Sequence, residues 1–307
     1  MRIVSLIACV LVAVCAPAFA ADVGFEEVKI ANGAEPPLTA GVWYPTAAAG
    51  SGLPLVVMSH GGGGRYDSHA DTAIALARAG FVAAAVSHAG DTTDDQSKVL
   101  QLWRRPAQLR RLVDYMLNEW SGHAHLDPAR VGAFGFSNGG FTVLVALGGV
   151  PDLSKTQPYC DAHPDHDLCA ALARGGADAD LGAAVPADAW IADPRVKAAV
   201  VVAPAFAYAF APSGLDKVRA PIQLWRAADD HHQPHPFYEA AVLAALPQAP
   251  EYHVVPGAGH YDFLAPCSER LARRVPGICT SEPGFDRTAF HARFNAEVVQ
   301  FLQARLR

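Results

Sequence analysis

The residues whose types and spacing best suit covalent chemistry lie in the segment 131–140. Gly135, Ser137 and Gly139 form a Gly-x-Ser-x-Gly motif between two apolar runs. Such a pattern predicts a strand, a sharp turn and a helix. Glycines beside the serine let the chain turn where side chains would collide, and the turn exposes the hydroxyl at the end of the strand. The segment therefore predicts a nucleophile elbow with Ser137 as the nucleophile.

A serine hydroxyl is a weak nucleophile and needs a neighbouring base that is itself held by a third group. With an elbow of this kind the partners follow in the order Ser, acid, His, each on a loop after a strand. The candidate base is His260, which follows the strand-like segment 252–255 through a loop of small residues. Its position after the last predicted strand distinguishes it from the other histidines of the chain.

The candidate acid follows the apolar segment 222–226, where Asp229 and Asp230 are adjacent. Asp230 is preferred because it stands four residues before Pro234, the spacing at which many hydrolases with this triad order end the acid loop. Asp229 is the alternative. The predicted catalytic set is Ser137, Asp230 and His260.

A glycine run at 60–64, His-Gly-Gly-Gly-Gly, follows the apolar segment 55–58. Acyl transfer needs two N–H donors for the oxyanion of its tetrahedral intermediate, each contributing about 3 kcal/mol. Gly62 and Asn138, the residue after the nucleophile, are predicted to supply them. A phosphate-binding loop is excluded because the run has neither a Gly-Lys-Ser/Thr ending nor a Gly-x-Gly-x-x-Gly frame.

The elements that must position these residues alternate between strands and helices. Two short strands, 25–30 and 40–44, predict an antiparallel edge. Continuous apolar runs then suit strands buried on both faces of a parallel sheet, at 55–58, 81–86, 131–136, 196–203 and 222–225. Helical patterns lie between them, at 71–79, 99–120, 138–147 and 236–246. The prediction is an α/β, mostly parallel, doubly wound sheet whose ligands bind beyond the carboxyl ends of the strands.

The amino terminus, residues 1–20, has one basic residue, an apolar run and a small-residue ending, which together predict a cleaved signal peptide. The apolar run is shorter than the roughly 20 residues that span a bilayer, so no stable membrane anchor is expected. Residues 21–307 then form the single predicted domain. With 30 acidic and 24 basic residues the chain has no basic excess, which argues against a nucleic-acid partner. The expected location is periplasmic or secreted.

Four cysteines follow the predicted signal peptide, an even number in a chain destined for an oxidising compartment. Three pairings are possible, and the preferred one joins Cys160 to Cys169 and Cys267 to Cys279. The first pair lies in the segment 151–193, which interrupts the alternation after the elbow helix. This segment is predicted to be an inserted lid over the site, and a disulfide-pinned surface loop is the alternative.

Several other residue clusters lie near the predicted site. Tyr66, Trp103, Phe206 and Tyr208 are candidates for lining a substrate pocket, although such aromatic residues also fill cores. The arginines near the start of the predicted second helix could meet an anionic substrate, but a solvated helix face is the preferred interpretation for Arg104, Arg105, Arg110 and Arg111. Two histidine-rich stretches, 163–167 and 231–235, are interpreted as polar loops, and no metal site is expected.

Six segments, taken in order, resemble a known family. They are 59–65, 135–140, 200–204, 221–225, 257–260 and the cysteine-bearing tail through 286–291. They look like secreted bacterial proteins of the α/β-hydrolase superfamily described as predicted dienelactone hydrolases, related to platelet-activating-factor acetylhydrolases. The resemblance implies an α/β-hydrolase fold and a carboxylic ester hydrolase that needs no cofactor. True dienelactone hydrolases have a cysteine nucleophile, whereas this elbow has Ser137, so a serine esterase is the expectation.

The expected activity is hydrolysis of a small-molecule or lipid-like ester through an acyl-enzyme. A serine peptidase or amidase of the same fold is the nearest alternative, and a secreted binding protein without catalysis is another. The sequence leaves the acyl and alcohol preferences and the oligomeric state open.

Overall fold

The computed structural model of the chain describes residues 22–46, 50–176 and 180–307. The predicted signal peptide, residues 1–20, lies outside these ranges. Within them, no helix combines the length and the apolar character needed to cross a bilayer.

A single sheet of eight strands organises the described residues. Its strands are β1 Val23–Asn32, β2 Glu35–Pro45, β3 Leu53–Ser59, β4 Val82–Ser87, β5 Leu126–Phe136, β6 Val196–Val202, β7 Ile222–Ala227 and β8 Glu251–Val255. Each coincides with a segment predicted as a strand, although the ends differ: β4 begins one residue after the start of the predicted 81–86, and β6 ends one residue before the end of the predicted 196–203. β3, β4, β6 and β7 are almost entirely buried, and so is β5 from Val131 to Phe136, as continuous apolar runs require.

The strand order is β1-β2-β4-β3-β5-β6-β7-β8. β1 pairs antiparallel with β2, and β2 pairs antiparallel with β4, while all other neighbours are parallel. The predicted antiparallel edge and the mostly parallel sheet are both confirmed. Because β3 and β5 are neighbours, the loops that follow them lie side by side.

Nine α-helices occur in the described ranges: α1 Ala70–Arg78, α2 Arg104–Asn118, α3 Asn138–Ala146, α4 Thr156–Ala162, α5 Asp167–Gly175, α6 Glu239–Ala245, α7 Glu269–Arg274, α8 Pro276–Cys279 and α9 Arg287–Arg305. α2 begins at Arg104, five residues later than predicted, since residues 99–103 form turns. The sequence reading did not predict α9.

The helices enclose the sheet on both faces. One hydrophobic core packs α2, α3 and α6 against the sheet through side chains such as Leu112, Phe141 and Val242. A second core packs α1 and α9 against the opposite face through Leu76 and Phe294. A doubly wound sheet is the result, and it places the carboxyl ends of the parallel strands at one exposed edge.

The segment predicted as a lid contains α4 and α5, with residues 177–179 outside the described ranges. A disulfide joins Cys160 in α4 to Cys169 in α5, with 5.1 Å between their Cα atoms. A second disulfide joins Cys267 to Cys279 across α7 and α8, with 5.7 Å between Cα atoms. This is the pairing preferred from the sequence.

Candidate active site

Ser137 lies between β5 and α3, at the carboxyl end of a central strand. Its backbone has φ 54° and ψ −119°, a conformation that residues other than glycine rarely adopt. Hydrogen bonds hold it in place: Ser137 N–H donates to the Val202 carbonyl at 2.9 Å, and the Ser137 carbonyl accepts from Phe141 and Ala205. The strained corner is therefore fixed from both β6 and α3.

The two motif glycines are required by close backbone approach. A Cβ on Gly135 would lie 2.1 Å from the Gly139 carbonyl oxygen, and a Cβ on Gly139 would lie 1.9 Å from the Ser59 carbonyl oxygen. Both distances are far inside van der Waals contact, so any larger residue would push the elbow away from β3. The motif thus has the physical cause that the sequence pattern indicates.

Asp230 and His260 form a buried pair beside the elbow. Asp230 Oδ2 is 2.8 Å from His260 Nδ1, and Asp230 Oδ1 accepts from the Gln233 backbone N–H at 2.7 Å. Asp230 is 7 % exposed and His260 is 6 % exposed. Asp229, the alternative acid, is exposed, and its N–H donates to the Ala258 carbonyl. The structure therefore joins Asp230, and not Asp229, to the histidine.

Burial alone raises the pKa of the Asp230 carboxyl. The charge and hydrogen bond of His260, together with the Gln233 N–H, outweigh burial and lower this pKa below its usual value. Asp230 is consequently ionised at neutral pH, and it accepts the Nδ1 proton of His260. That tautomer leaves His260 Nε2 free to accept a proton from another group.

His260 packs on Phe136, the residue before the nucleophile, with 4.7 Å between ring centroids. The Ser137 hydroxyl is hydrogen-bonded to Gln233 and not to His260: Gln233 Nε2 donates to Ser137 Oγ at 3.4 Å. No hydrogen bond between Ser137 and His260 occurs in the described ranges. Gln233 was not singled out from the sequence, and no local pattern marks it.

Gly62, one of the two predicted oxyanion donors, lies beside the side chain of the other, Asn138. A Cβ on Gly62 would lie 2.9 Å from Asn138 Nδ2, and the neighbouring Gly61 approaches Phe136 and Ser137. Across residues 22–46, 50–176 and 180–307, neither the Gly62 N–H nor the Asn138 N–H donates to a protein acceptor. Both N–H groups therefore have no partner within the described part of the protein.

A cluster of polar side chains, here named the buried network, lies behind the glycine turn. It consists of Ser59, His60, His88, Asp91, Arg105 and Gln108, of which none is more than 4 % exposed. Asp91 Oδ1 accepts from the Gly63 N–H at 2.6 Å, and Asp91 Oδ2 pairs with Arg105. Arg105 also donates to the His60 carbonyl. The network thus holds the backbone of the glycine turn at His60, Gly61 and Gly63, on both sides of Gly62.

Arg105 corrects the expectation of a solvated helix face. It lies on α2 but points inward, with 2 % exposure, whereas Arg110 is exposed as expected. A row of arginines on an amphipathic helix gives no signal that one of them pairs with a carboxylate 14 residues earlier.

The two histidines of the buried network are neutral. Burial, followed by the charge of Arg105, lowers the pKa of both His60 and His88 well below the usual histidine value. His60 Nε2 accepts from the His88 N–H at 3.0 Å, so its Nδ1 donates to the Gly61 carbonyl at 2.6 Å. His88 lies 2.8 Å from Ser59 Oγ and 3.0 Å from Gln108 Oε1. Neutral rings act as both donor and acceptor in these contacts.

Two of the four candidate lining aromatics are near the elbow and the predicted lid. Phe206 follows Ala205, whose N–H bonds to the Ser137 carbonyl. Tyr208 stacks on Tyr159 of α4 at 4.2 Å between centroids and donates to Thr156.

The other two candidates have different surroundings. Tyr66 donates to Glu27 at 2.7 Å and packs on Trp43, so its contacts are with β1 and β2. Trp103 is half-buried against the core just before α2. Neither has a described contact with Ser137 or His260.

The histidine-rich stretches are split between the predicted lid and the acid loop. His163 and His166 stack on each other at 4.7 Å between α4 and α5. His232 Nδ1 is 2.8 Å from Asp167 Oδ2 of α5, and its ring is 5.3 Å from that of His260. Within the described residues, no three His, Cys, Asp or Glu side chains are grouped to hold a metal ion.

The strand order, the antiparallel first strands and the elbow after β5 define an α/β-hydrolase fold. Among solved structures, the chain is similar to the crystal structure of a dienelactone hydrolase from Anabaena variabilis ATCC 29413, with a TM-score of 0.57. The two chains are 18 % identical, and the match covers 93 % of this chain and 99 % of that one. At this identity the similarity shows a dienelactone hydrolase-like α/β-hydrolase fold. No protein-family model matches the chain, and no curated protein matches it.

Proposed function

We propose that the protein is a serine hydrolase of carboxylic esters, with Ser137 as nucleophile, His260 as base and Asp230 as the acid that orients it. The single observation that carries the proposal is the buried hydrogen bond between Asp230 and His260 beside a strained serine elbow. A hydrolase activity also agrees with the fold of the dienelactone hydrolase neighbour.

In the proposed reaction, His260 Nε2 takes the Ser137 proton as Oγ attacks the ester carbonyl. Asp230 stabilises the imidazolium that forms. The N–H groups of Gly62 and Asn138 stabilise the oxyanion, since both are otherwise unpaired. His260 then gives its proton to the alcohol as the carbonyl–oxygen bond breaks, which leaves an acyl-enzyme. Water, activated by His260, attacks this acyl group and restores Ser137.

We further propose that residues 151–193 act as a lid over this site. The support is contact between the segment and the acid loop through Asp167 and His232, and between Tyr159 and Tyr208. A periplasmic or secreted location is proposed as well, because two disulfides suit an oxidising compartment.

The decisive experiment measures hydrolysis of p-nitrophenyl esters of increasing acyl length by the wild-type chain and by Ser137→Ala. We expect the variant to lose at least about 10⁴-fold in kcat/KM, because the nucleophile is absent. Ser213→Ala, at an exposed serine, is the matched control and should keep its activity. Equal turnover by Ser137→Ala and the wild type would refute the assignment.

The same purified wild-type chain distinguishes the serine esterase from the amidase and from the binding protein. Faster cleavage of an anilide than of the matching ester would indicate an amidase. Absence of turnover combined with failure of a fluorophosphonate to label Ser137 would indicate a binding protein.

A further inference from the structure

His260, the base of the proposed triad, lies in a short loop whose two ends are joined by hydrogen bonds. A single 3₁₀ turn, His260–Phe263, begins at this residue. Asp262 Oδ2 accepts from the Gly259 N–H at 2.8 Å, and the Asp262 N–H donates to the Gly259 carbonyl at 3.1 Å. These two hydrogen bonds fix the backbone on both sides of His260.

The carboxylate of Asp262 is buried and is also held from outside this loop. Its Oδ1 atom accepts from Arg287 Nε at 3.0 Å and from the Ser281 hydroxyl. Arg287, the first residue of α9, is buried as well, and its Nη1 atom donates to the Ile278 carbonyl at 3.0 Å. The Asp262 carbonyl accepts from Nε2 of His291, one turn further along α9, at 2.8 Å. α9 and the segment before it therefore hold Asp262 by both its side chain and its backbone.

A similar arrangement supports the glycine turn. There, Asp91 accepts from the Gly63 N–H with one oxygen and pairs its other oxygen with Arg105. Asp262 and Arg287 repeat this arrangement at a second loop of the site. Apolar side chains are often able to replace a buried ion pair without loss of stability, so stability alone does not account for two such pairs. A charge-assisted hydrogen bond has a defined direction, and each pair therefore fixes the backbone of the loop that it contacts.

From these contacts we infer that Asp262 is a positioning residue for His260, held in place by Arg287 and Ser281. The inference rests on the proposed ester hydrolysis, because it assigns a role in the alignment of that triad. Proton transfer requires His260 to stay paired with Asp230 while it reaches the nucleophile. A displacement of about 1 Å at such a site can cost on the order of 100-fold in rate. The contacts with α9 prevent the loop from moving as a unit.

The main experiment compares Arg287→Met with the wild type in hydrolysis of p-nitrophenyl acetate, under conditions where circular dichroism shows both proteins folded. We expect kcat/KM to fall by about 10- to 100-fold, mainly through kcat, because the base is displaced while the substrate keeps its surroundings. Arg287→Lys keeps a cation beside Asp262 and should recover most of this loss. Wild-type kcat in Arg287→Met would overturn the inference.

Arg130→Met is the control for lost stability. Arg130 lies in the amino-terminal half of β5, away from the site, and donates to the carbonyls of Gly52 and Leu306. Its loss should lower the free energy of unfolding, measured with urea, while the folded variant keeps the kcat of the wild type. An equal fall in kcat in Arg130→Met and Arg287→Met would refute a specific effect on His260.

A spectroscopic measurement reports the position of His260 without turnover. The Nδ1 proton that His260 donates to Asp230 should give a downfield proton resonance, assigned by its absence in His260→Gln. We expect this resonance in the wild type, in Arg130→Met and in Arg287→Lys, and we expect it to shift or disappear in Arg287→Met. An unchanged resonance in Arg287→Met would contradict the positioning role of Asp262.

A milder variant decides the question if Arg287→Met fails to fold. Ser281→Ala removes the other donor to Asp262 Oδ1 without leaving a charge unpaired. We expect its kcat to fall by about three-fold or more, as the loss of one hydrogen bond implies. Wild-type kcat together with an unchanged resonance in Ser281→Ala would reject the inference.

Failure of the inference is distinct from failure of the proposed function. Ser137-dependent hydrolysis that is as fast in Arg287→Met as in the wild type would keep the serine esterase and reject the role of Asp262. Absence of Ser137-dependent hydrolysis in the wild type would reject the proposed function, and the resonance would still show whether Asp262 holds His260 against Asp230.

Discussion

Around Ser137, several polar groups have no protein partner among the described residues, whereas in the buried network behind the glycine turn nearly every side-chain polar group is paired. Gln233 Oε1 and the N–H groups of Gly62 and Asn138 are unpaired on the reactive side. Of the network's side-chain atoms, only Arg105 Nε is buried without a partner. The two regions therefore differ in how many of their hydrogen-bonding groups are paired within the protein.

This difference separates two tasks. A saturated network has one stable arrangement, so it can fix the backbone of the glycine turn. The unpaired groups around Ser137, by contrast, keep hydrogen-bonding capacity that a substrate can use. The structure thus combines a rigid support with a site whose donors and acceptors are available.

The largest expected effect comes from breaking the paired acid in the reactive region. Asp230→Asn should lower kcat/KM for a p-nitrophenyl ester by about 10⁴-fold, because the amide favours the wrong tautomer of His260. Asp229→Asn, one residue away and exposed, should stay close to the wild type. Comparable losses in both variants would contradict the assignment of Asp230.

Removing one partner from the buried network should reduce stability more than any change in the cleft. Arg105→Met leaves Asp91 as a buried carboxylate without its cation, which costs about 3–5 kcal/mol of the free energy of unfolding. Urea unfolding followed by circular dichroism measures this loss. Activity should also fall, since the Gly63 and His60 contacts that position the glycine turn, with its proposed oxyanion donor, depend on this pair.

The control for this variant is Arg111→Met, on the same helix. Arg111 pairs with Glu119 at the surface, and an exposed pair contributes about 0–1 kcal/mol. An equal loss of stability in the two variants would show that the buried network does not support the fold as proposed.

The two regions should also titrate in different pH ranges. His60 and His88 have folded-state pKa values well below the unfolded value of about 6.5. The unfolded chain therefore binds more protons below pH 6.5, and the free energy of unfolding should fall as the pH decreases from 7 to 5. The lowered pKa of Asp230 gives stability that is present above pH 4 and is lost only at lower pH, starting near its unfolded value of about 3.9.

Urea unfolding between pH 7 and pH 5 checks this prediction. His88→Gln should reduce the slope of stability against pH by up to about 1.4 kcal/mol per pH unit, because one titrating ring is removed. An unchanged slope would contradict the neutral state of His88 in the folded protein.

The smallest expected effect concerns the proposed lid. Asp167→Asn weakens the contact with His232, and since both side chains are partly exposed, the loss of stability should not exceed about 1 kcal/mol. If the segment acts as the proposed lid, we expect a change of a few-fold in KM with little change in kcat, because a lid holds substrate without touching the reacting atoms. Asp161→Asn, which removes the same negative charge from a carboxylate that accepts from Gln157 in α4, is the control. Identical KM values for Asp167→Asn and the wild type would argue for a simple surface segment.

The sequence by itself determined the sheet, the elbow and the order of the proposed catalytic residues. Continuous apolar runs reveal strands buried on both faces, and the motif glycines reveal where backbones approach closely, because both constraints act on neighbours along the chain. Only the tertiary structure decided that Asp230 rather than Asp229 meets His260. It also decided that Gln233 contacts Ser137, and that Arg105 turns inward to Asp91. These contacts join residues far apart in sequence, and their side chains also occur on ordinary solvated surfaces, so no local pattern distinguishes them. α9 is the exception, because its apolar side chains Phe290, Phe294 and Val298 recur at the spacing of a helix face, which is a local pattern. The tertiary structure adds the surface that they cover: Phe294 packs on Phe134 of β5 and on Trp225 of β7.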